Sequence, residues 1–391
     1  MKDIKKGLNS TLLNDINILD FIDNRIFFDD NKVAIMFKID QIYSENLNDE
    51  QLVSYKNQFQ NFLNSLDKEF DYQMYLRKHN NFQKLIEGHL DLNENDDELI
   101  ERLFEDQIIK LNYDAKIGRI FNYDLYFTVK FDVDYDISKS KNFLEKKEEE
   151  ELAQVFQNEI MKKIDLVEDK IKTSLTGAGF NIQIPKEQEI IDLIHSHINT
   201  EISYNNEFKR TEDLAENDLF TAKDYLYTND KYFRFITLKE EPNNTVPTLI
   251  KRVTNVSVPY DLTINFTKLD RQQQISKYKG KRKRARAMKF DMFTNEVDEQ
   301  KQANEDRLSQ ILQELSSNKN LFEVEYLFRV KANSKEELDK NCNALMTQLN
   351  QTRGGKGYNE SLANQKLFFS SIPANNLKMN NERERHWLTG Y

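Results

Sequence analysis

The sequence is poor in cysteine, proline and glycine, with one, five and ten of them in 391 residues. The single thiol, Cys342, excludes an internal disulfide and a multi-cysteine metal site, which fits a reducing compartment, and we expect it to be a buried small side chain. So few prolines and glycines argue against a linker-dominated or fibrous protein. No run of about 18 apolar residues occurs, so no membrane-spanning helix is predicted.

The nucleotide-binding pattern G-x-x-x-x-G-K-[ST] is also absent. It needs glycines to cradle phosphates, a lysine for the terminal phosphates and a hydroxyl for magnesium. The segment from Thr352 to Gly357, TRGGKG, holds glycines and a lysine, but it follows a predicted helix instead of leading into one. We interpret it as a helix end and a turn.

Histidine offers little catalytic or metal-binding chemistry, with five residues in the chain. His195 and His197 lie two positions apart on a predicted helix, so they point to different faces and make a poor metal pair. We predict that both are surface residues. No catalytic, cofactor-binding or metal-binding residue is proposed from the sequence.

What the sequence does contain is charge and aromatic residues: 31% charged residues, a net charge of −10, 26 phenylalanines and 17 tyrosines. The aromatic side chains can build a core despite a hydrophobic content of only 38%. The acidic balance argues against a nucleic-acid platform covering the whole surface. The length favours two or three domains.

Strands with alternating apolar residues and amphipathic helices follow one another along the chain. The first half has strands at 32–40, 69–78, 121–135 and 180–185, with helices between them. If the first two strands pair directly, they must be parallel. The helical stretch 80–119 is expected to bury its apolar side, which comprises Leu99, Ile100, Leu103, Phe104, Ile108, Ile109 and Leu111.

The second half repeats this rhythm, with strands at 231–238, 259–268 and 321–330. The order predicts an α/β (α+β) fold: two ferredoxin-like or split β-α-β sandwich units with long amphipathic helices. We place an N-terminal α/β subdomain at 1–200, an irregular connection at 201–230 and a second α/β subdomain at 231–391.

The last quarter of the chain carries the most specific pattern. An alternating strand at 321–330 is followed by Ser334-Lys-Glu-Glu337, which is a capping-box sequence at a helix start. After the glycine-containing segment, 366–373 (KLFFSSIP) is predicted to be an apolar strand that ends at its proline.

This region resembles the N-terminal part of the VirB-four/TraC/TrbE/CagE family of type IV secretion (conjugation) ATPases. In that family a β-α-β unit ends in a similar Phe-rich, Ser-Leu-Pro-containing segment, followed by an arginine and a Leu-Thr pair. The residues here that match this pattern are Phe368, Phe369, Ser371, Ile372, Pro373, Asn375, Asn376, Arg383, Arg385, Leu388 and Thr389.

The resemblance implies a docking and assembly domain that anchors a motor to an inner-membrane channel complex for export of DNA or protein. It implies a RecA-like motor domain, with ATP and magnesium, that this chain lacks, so we expect neither catalysis nor a cofactor on these residues. It further implies inner-membrane subunits and channel scaffold as partners, assembly as a homo-oligomer or as dimers within a hexamer, and a peripheral position at the cytoplasmic face of the bacterial inner membrane.

One strongly basic segment, 268–289, contains a single acid, Asp270. A solvated or partner-contacting segment is the first interpretation, a membrane surface the second and nucleic acid the third. An independent nucleic-acid-binding protein is therefore an alternative function, although Tyr278 alone makes a poor stacking platform. A stand-alone enzyme with an unrecognised pocket is a third. The candidate contact residues are Lys277, Lys279, Lys281, Arg282, Lys283, Arg284, Arg286 and Lys289.

Overall fold

The computed structural model describes residues 16–40, 47–83, 85–86, 88, 98–133, 146–200, 214–240, 256–287, 299–317, 319–351, 355–361, 363–376 and 385–388. Within these residues thirteen strands form one sheet, and all of the pairings are antiparallel. The α+β class predicted from the sequence is confirmed.

The first unit has the strand order of a ferredoxin-like fold. Its elements are β1 (Ile18–Ile22), β2 (Arg25–Phe28), β3 (Lys32–Ile39), α1 (Asp49–Ser65), β4 (Asp71–His79), α2 (Glu98–Lys116), β5 (Asn122–Asp132), α3 (Lys146–Gly177) and β6 (Ile182–Gln183). Strand β5 lies between β3 and β4, and β6 pairs with β3. The strands before and after α1 are therefore parallel without touching each other, which is a split β-α-β arrangement.

The second unit repeats the order β12-β9-β11-β10. Its elements are α4 (Glu187–Asn199), β7 (Phe220–Thr221), β8 (Leu226–Thr228), β9 (Lys231–Glu240), β10 (Tyr260–Lys268), α5 (Arg271–Ala287), α6 (Glu299–Ser316), β11 (Leu321–Ala332), α7 (Lys335–Gln351), β12 (Lys356–Asn359), α8 (Asn364–Ser371) and β13 (Arg385–Leu388). The prediction of two such units is confirmed.

The two units share one sheet because β4 and β10 pair, from Asp71 opposite Thr267 to Lys78 opposite Tyr260. These strands hold the same position in their respective units, and each is followed by an inserted helical segment. In the first unit the insertion contains α2; in the second it contains the α5–α6 hairpin. The proposed domain boundaries stay a prediction, but 201–230 is not wholly irregular, because β7 and β8 lie within it.

Helices cover both faces of the sheet. Alternation along β3 sends Val33, Ile35 and Phe37 into a core beneath α1 and α3, and sends Ala34 and Met36 into a second core beneath α4 and α8. Helix α7 covers the first face in the second unit. A two-sided core explains why strand residues of both parities are buried, as in sheets covered on both faces.

The strand predicted at 366–373 is wrong, because α8 occupies most of this segment. Leu367, Phe368, Ser370 and Ser371 are all buried. A short run in which every residue is buried, as here from Leu367 to Ser371, shows neither helical nor strand periodicity, so its pattern cannot separate the two. Chain direction changes after the helix, where Ala374 and Asn376 take positive φ angles of 67° and 25°.

The prediction for α2 is wrong for part of its surface. Its half-buried side contains Phe104, Ile108 and Leu111, but Leu99, Leu103 and Ile109 are exposed. The apolar residues lie on two opposite sides of this helix, and only one of these sides is covered; the side chain of Ile100 lies outside the described residues.

No helix among the described residues has both the length and the apolar character needed to cross a membrane.

Candidate interaction surfaces and the junction between the units

The predicted basic residues lie on a helical hairpin. Seven of them are exposed on α5, and Lys289 lies outside the described residues. Within 268–289, Lys268 ends β10 and residues 271–287 form α5 itself. The Asp270 Oδ1 atom accepts the Gln273 N–H at 3.0 Å, a capping interaction at the helix start.

The hairpin has its own small core. Tyr278 of α5 packs with Leu308, Leu312 and Leu315 of α6 and with Leu321 at the start of β11. The Arg271 Nε atom donates to the Leu315 carbonyl at 2.7 Å and ties the base of the hairpin together. The apolar side of α5 packs against α6, so the exposed side of α5 carries the basic residues. The helix contains no acidic residue. Such a surface suits an acidic partner.

A second cluster of charges, which sequence reasoning missed, is buried where the units meet. Asp261 of β10 is fully buried, and its Oδ2 atom lies 2.8 Å from Lys331 Nζ, 3.8 Å from Arg329 Nη1 and 3.8 Å from His197 Nδ1. Burial by itself would raise the pKa of Asp261, but the neighbouring Lys331, Arg329 and Arg77 cations outweigh it and lower the pKa below the usual value.

Two arginines of this junction, one from each unit, donate hydrogen bonds to the end of helix α4. Arg77 of β4 donates to the Leu193 carbonyl at 3.0 Å and to Ser196 Oγ at 2.6 Å. Arg329 of β11 donates to the His197 carbonyl at 2.6 Å and to Thr200 Oγ1 at 2.9 Å. Cations at the last carbonyls of α4 also complement its dipole. Helix α4 therefore fastens the first unit to the second.

His195 and His197 are buried, not on the surface as predicted, because every residue of α4 from Leu193 to Asn199 is buried. His197 Nδ1 lies 3.0 Å from the Tyr75 hydroxyl and its Nε2 lies 3.0 Å from Ser371 Oγ. Burial and the nearby cations lower the pKa of His197 well below its usual value, so the ring is neutral.

Ser371, His197 and Asp261 together have the residue types of a hydrolytic triad. All three are completely buried, so a substrate has no access to the serine. We interpret this cluster as structural.

The segment after α8, which carries the family resemblance, is hydrogen-bonded into the central strands. Gln73 Nε2 donates to the Ile372 carbonyl at 3.2 Å, and the Ala374 N–H donates back to Gln73 Oε1 at 2.8 Å. Thr263 Oγ1 donates to the Ser371 carbonyl at 3.2 Å. Because Gln73 belongs to the first unit and Thr263 to the second, this segment crosses the junction and stabilises it.

A cleft beside the junction is lined by Lys38, Arg77, His79, Asp124 and Glu189 among others. His79 accepts the Asn81 N–H at Nδ1 (3.2 Å) and lies 3.0 Å from Asp124 Oδ2 through Nε2, so both ring nitrogens are engaged. Lys38 Nζ contacts Glu189 Oε1 at 2.7 Å. These charges are satisfied by one another.

The glycine-containing segment does not form a phosphate site in its described part. Its described part begins at 355, and Gly357 lies in β12, where an added Cβ would lie 2.9 Å from Met346 Sδ and 3.0 Å from Leu349 Cδ1. The absent side chain therefore makes room for α7 and does not open a cradle for phosphate. The predicted turn applies at most to 352–354, which lie outside the described residues.

Potential metal ligands do not cluster in the part of the chain that the structure describes: no group of three or more His, Cys, Asp or Glu side chains could hold an ion there. Cys342 is fully buried, as predicted, and burial raises its pKa to about 11. Its thiol is therefore a packing group.

The chain thus consists of two ferredoxin-like units that meet at a buried junction, with a basic hairpin exposed on the second unit. The chain matches the CagE, TrbE, VirB family, a component of the type IV transporter system, over residues 186–380. It belongs to this family, and the resemblance found in the sequence is confirmed. No curated protein matches the chain.

The matched region begins at α4 and ends just after the Ser371–Asn376 segment. It therefore contains most of the second unit and the helix and segment that fasten this unit to the first. The chain is thus a component of a type IV secretion system.

Proposed function

We propose that this chain is the docking and assembly part of a type IV secretion ATPase, which anchors the motor to the inner-membrane channel complex for export of DNA or protein, as in conjugation. The observation that carries the proposal is that a chain of this family combines two units joined through a buried junction with a basic hairpin exposed on the surface. The chain itself performs no catalysis in this proposal, and ATP and magnesium belong to a separate motor domain.

The α5–α6 hairpin is the proposed contact surface for the inner-membrane subunits and the channel scaffold. Its seven exposed cations favour encounter with an acidic surface, and their effect is largest on association rate and specificity. The protein would then be peripheral at the cytoplasmic face of the inner membrane and held there by its partners. It would assemble there as a homo-oligomer or as dimers within a hexamer.

The experiment is copurification of the tagged full chain with inner-membrane subunits from detergent extracts of cells that express the secretion system. Replacing Lys281, Arg282, Lys283 and Arg284 together by glutamine is expected to lower recovery of these subunits by about tenfold, equivalent to about 1.4 kcal/mol. The matched control replaces four exposed lysines outside the hairpin by glutamine and is expected to retain binding; they are Lys56 on α1, Lys162 and Lys172 on α3, and Lys186 just before α4. If the unaltered chain recovers no inner-membrane subunit, the proposal fails.

An independent nucleic-acid-binding protein is the second candidate, because α5 holds its cations on one helix without acidic residues. DNA binding by the purified chain that falls steeply with salt, and that the Lys281–Arg284 variant loses, would favour it. The proposed docking function predicts no such binding at physiological salt.

A further inference from the structure

Helix α2 presents apolar residues on two opposite sides. Its inner side, formed by Phe104, Ile108, Leu111 and Ala115, is half-buried or buried. Its outer side carries five large apolar residues that are 44–67% exposed, namely Leu99, Leu103, Ile109, Tyr113 and Ile117. At about 100° per residue the centres of the two sides lie on nearly opposite faces of the helix. The outer side thus resembles an unfilled helix-packing surface.

Four of the five outer apolar residues, together with Asp106 and Lys110, follow the spacing of a coiled-coil seam, whereas Ile109 lies beside it. Successive steps of four, three, four, three and four residues connect Leu99, Leu103, Asp106, Lys110, Tyr113 and Ile117. Such spacing keeps side chains on one stripe that faces a partner helix. Ile117 lies just beyond the helix, but its N–H still donates to the Tyr113 carbonyl at 3.0 Å, so it continues the last turn.

This stripe is symmetric about Ile108. Counting outwards from Ile108, Asp106 and Lys110 are two residues away, Leu103 and Tyr113 are five, and Leu99 and Ile117 are nine. When two copies of the helix run antiparallel with Ile108 at the centre, Leu99 meets Ile117, Leu103 meets Tyr113, and Asp106 meets Lys110. Each of these pairs occurs twice, as an isologous two-fold interface requires.

We propose that α2 pairs antiparallel with α2 of a second copy of this chain and thereby forms a symmetric dimer. The partner is a second copy because the stripe on one α2 is complementary to the same stripe on another α2 that runs in the opposite direction. Four apolar pairs flank two opposite-charge pairs, and both Asp106 and Lys110 are exposed and available at the centre. A partner of one sign of charge would match only one of the two central residues.

Helix α2 lies apart from the hydrophobic clusters formed by the described residues, none of which contains one of its side chains. It inserts between β4 and β5. Its nineteen residues span about 28 Å. One helix pair of this length is smaller than a standard interface of about 800 Å² per partner, so dimerisation is expected to depend on concentration in the micromolar range.

The test measures the mass of the purified full chain by sedimentation, from about 1 µM to about 200 µM. Asp106→Lys alone and Lys110→Asp alone each place like charges across the centre, and each is expected to weaken dimerisation by at least about tenfold. An equimolar mixture of the two single variants restores opposite-charge pairs in a heterodimer. The double variant D106K/K110D restores them in a homodimer and keeps an opposite-charge pair four residues apart in the helix.

The matched control is Glu105→Lys, which makes the same charge change next to Asp106 but off the stripe. It is expected to dimerise like the unaltered chain, and thermal unfolding of each variant checks that the helix is retained. A chain that stays monomeric over the whole range overturns the proposal. Single variants that dimerise normally, or a mixture that fails to recover, also overturn it.

Cross-linking tests the register independently. The double variant L103C/Y113C is expected to give a covalent dimer under mild oxidation, because residues 103 and 113 face each other only between two copies. In one helix they lie about 15 Å apart, too far for a disulfide. L103C alone is the control and is expected to stay uncrosslinked. The native Cys342 is buried and does not compete. Absence of the double-variant cross-link overturns the antiparallel register.

Discussion

The two units carry different insertions at the same place in the same fold. In the second unit the inserted segment is a hairpin, and α6 buries the apolar side of α5 through Leu308 and Leu312. In the first unit none of the hydrophobic clusters formed by the described residues contains a side chain of α2, and Leu103 and Ile109 stay at the surface. An insertion that closes its own core presents charge outward, whereas one that does not presents apolar surface and depends on another chain.

The units also differ in how they offset the lost hydration of a lysine that is half-buried at Lys331 and buried at Lys130. Lys331 of β11, in the second unit, has Asp261 at 2.8 Å. Lys130 of β5, in the first unit, lies 3.4 Å above the Phe28 ring and 3.5 Å from the Asn375 carbonyl, without an ion pair among the described residues. Burial lowers the pKa of both lysines to about 8. The same loss of hydration is offset by a carboxylate in one unit and by weaker contacts in the other.

The largest effect is expected when the carboxylate of the junction is neutralised. Asp261→Asn keeps the shape of the side chain but leaves Arg77, Arg329 and Lys331 without their shared anion. Removing one partner of a buried charge cluster costs about 3–5 kcal/mol. Chemical denaturation should therefore show a much lower free energy of unfolding.

The control for this variant is Asp270→Asn, which removes the exposed contact with Lys68 and is expected to change stability little. If the two variants lose similar stability, the buried junction is not what joins the units. If D261N is as stable as the unaltered chain, the ion cluster contributes nothing net.

A medium loss of stability is expected when Lys331, but not Lys130, is replaced by an uncharged side chain. Lys331→Met leaves Asp261 without its nearest cation and should cost about 1.5–3 kcal/mol. Lys130→Met replaces a buried cation that has no ion pair among the described residues by an apolar side chain and should change stability by about 1 kcal/mol or less. Denaturation of both variants at pH 7 measures the difference, and equal losses would contradict the contrast between the units.

These lysines also predict how stability depends on pH. The unfolded chain keeps a lysine proton up to its ordinary pKa of 10.5, whereas the folded chain releases the Lys331 proton near pH 8. Between these values the unfolded state binds more protons, so the contribution of Lys331 makes the free energy of unfolding rise with pH. Subtracting the pH profile of K331M from that of the unaltered chain isolates this rise, and a flat difference between pH 8 and pH 10.5 would contradict it.

The sequence was enough to predict seven strands (β3 to β6 and β9 to β11), most helices and the two-unit repeat, because period-2 and helical spacing survive along single elements. It did not predict β1, β2, β7, β8, β12 and β13, which are two to five residues long and too short for a clear period. It could not reveal the junction. Asp261 and Arg329 alternate with apolar residues in their strands, as outward polar residues do, and only the distant α4 buries them. His197 lies on the buried part of the same helix. The pairing of β4 with β10 joins residues almost two hundred positions apart in the sequence.

The smallest effects on stability are expected at two glycines, of which Gly357 packs closely against α7 and Gly280 faces open space on α5. Gly357→Ala puts a Cβ against Met346 Sδ and Leu349 Cδ1, at 2.9 and 3.0 Å. Because the methionine side chain adapts easily, the cost should be about 1 kcal/mol. Gly280→Ala, on the exposed α5, meets no atom within 4 Å and should stabilise the hairpin by about 0.5–1 kcal/mol, since alanine favours a helix over glycine. Denaturation curves of the two variants should therefore shift in opposite directions. A shift in the same direction would mean either that β12 tolerates a side chain against α7 or that the basic helix is already held by something other than its own backbone.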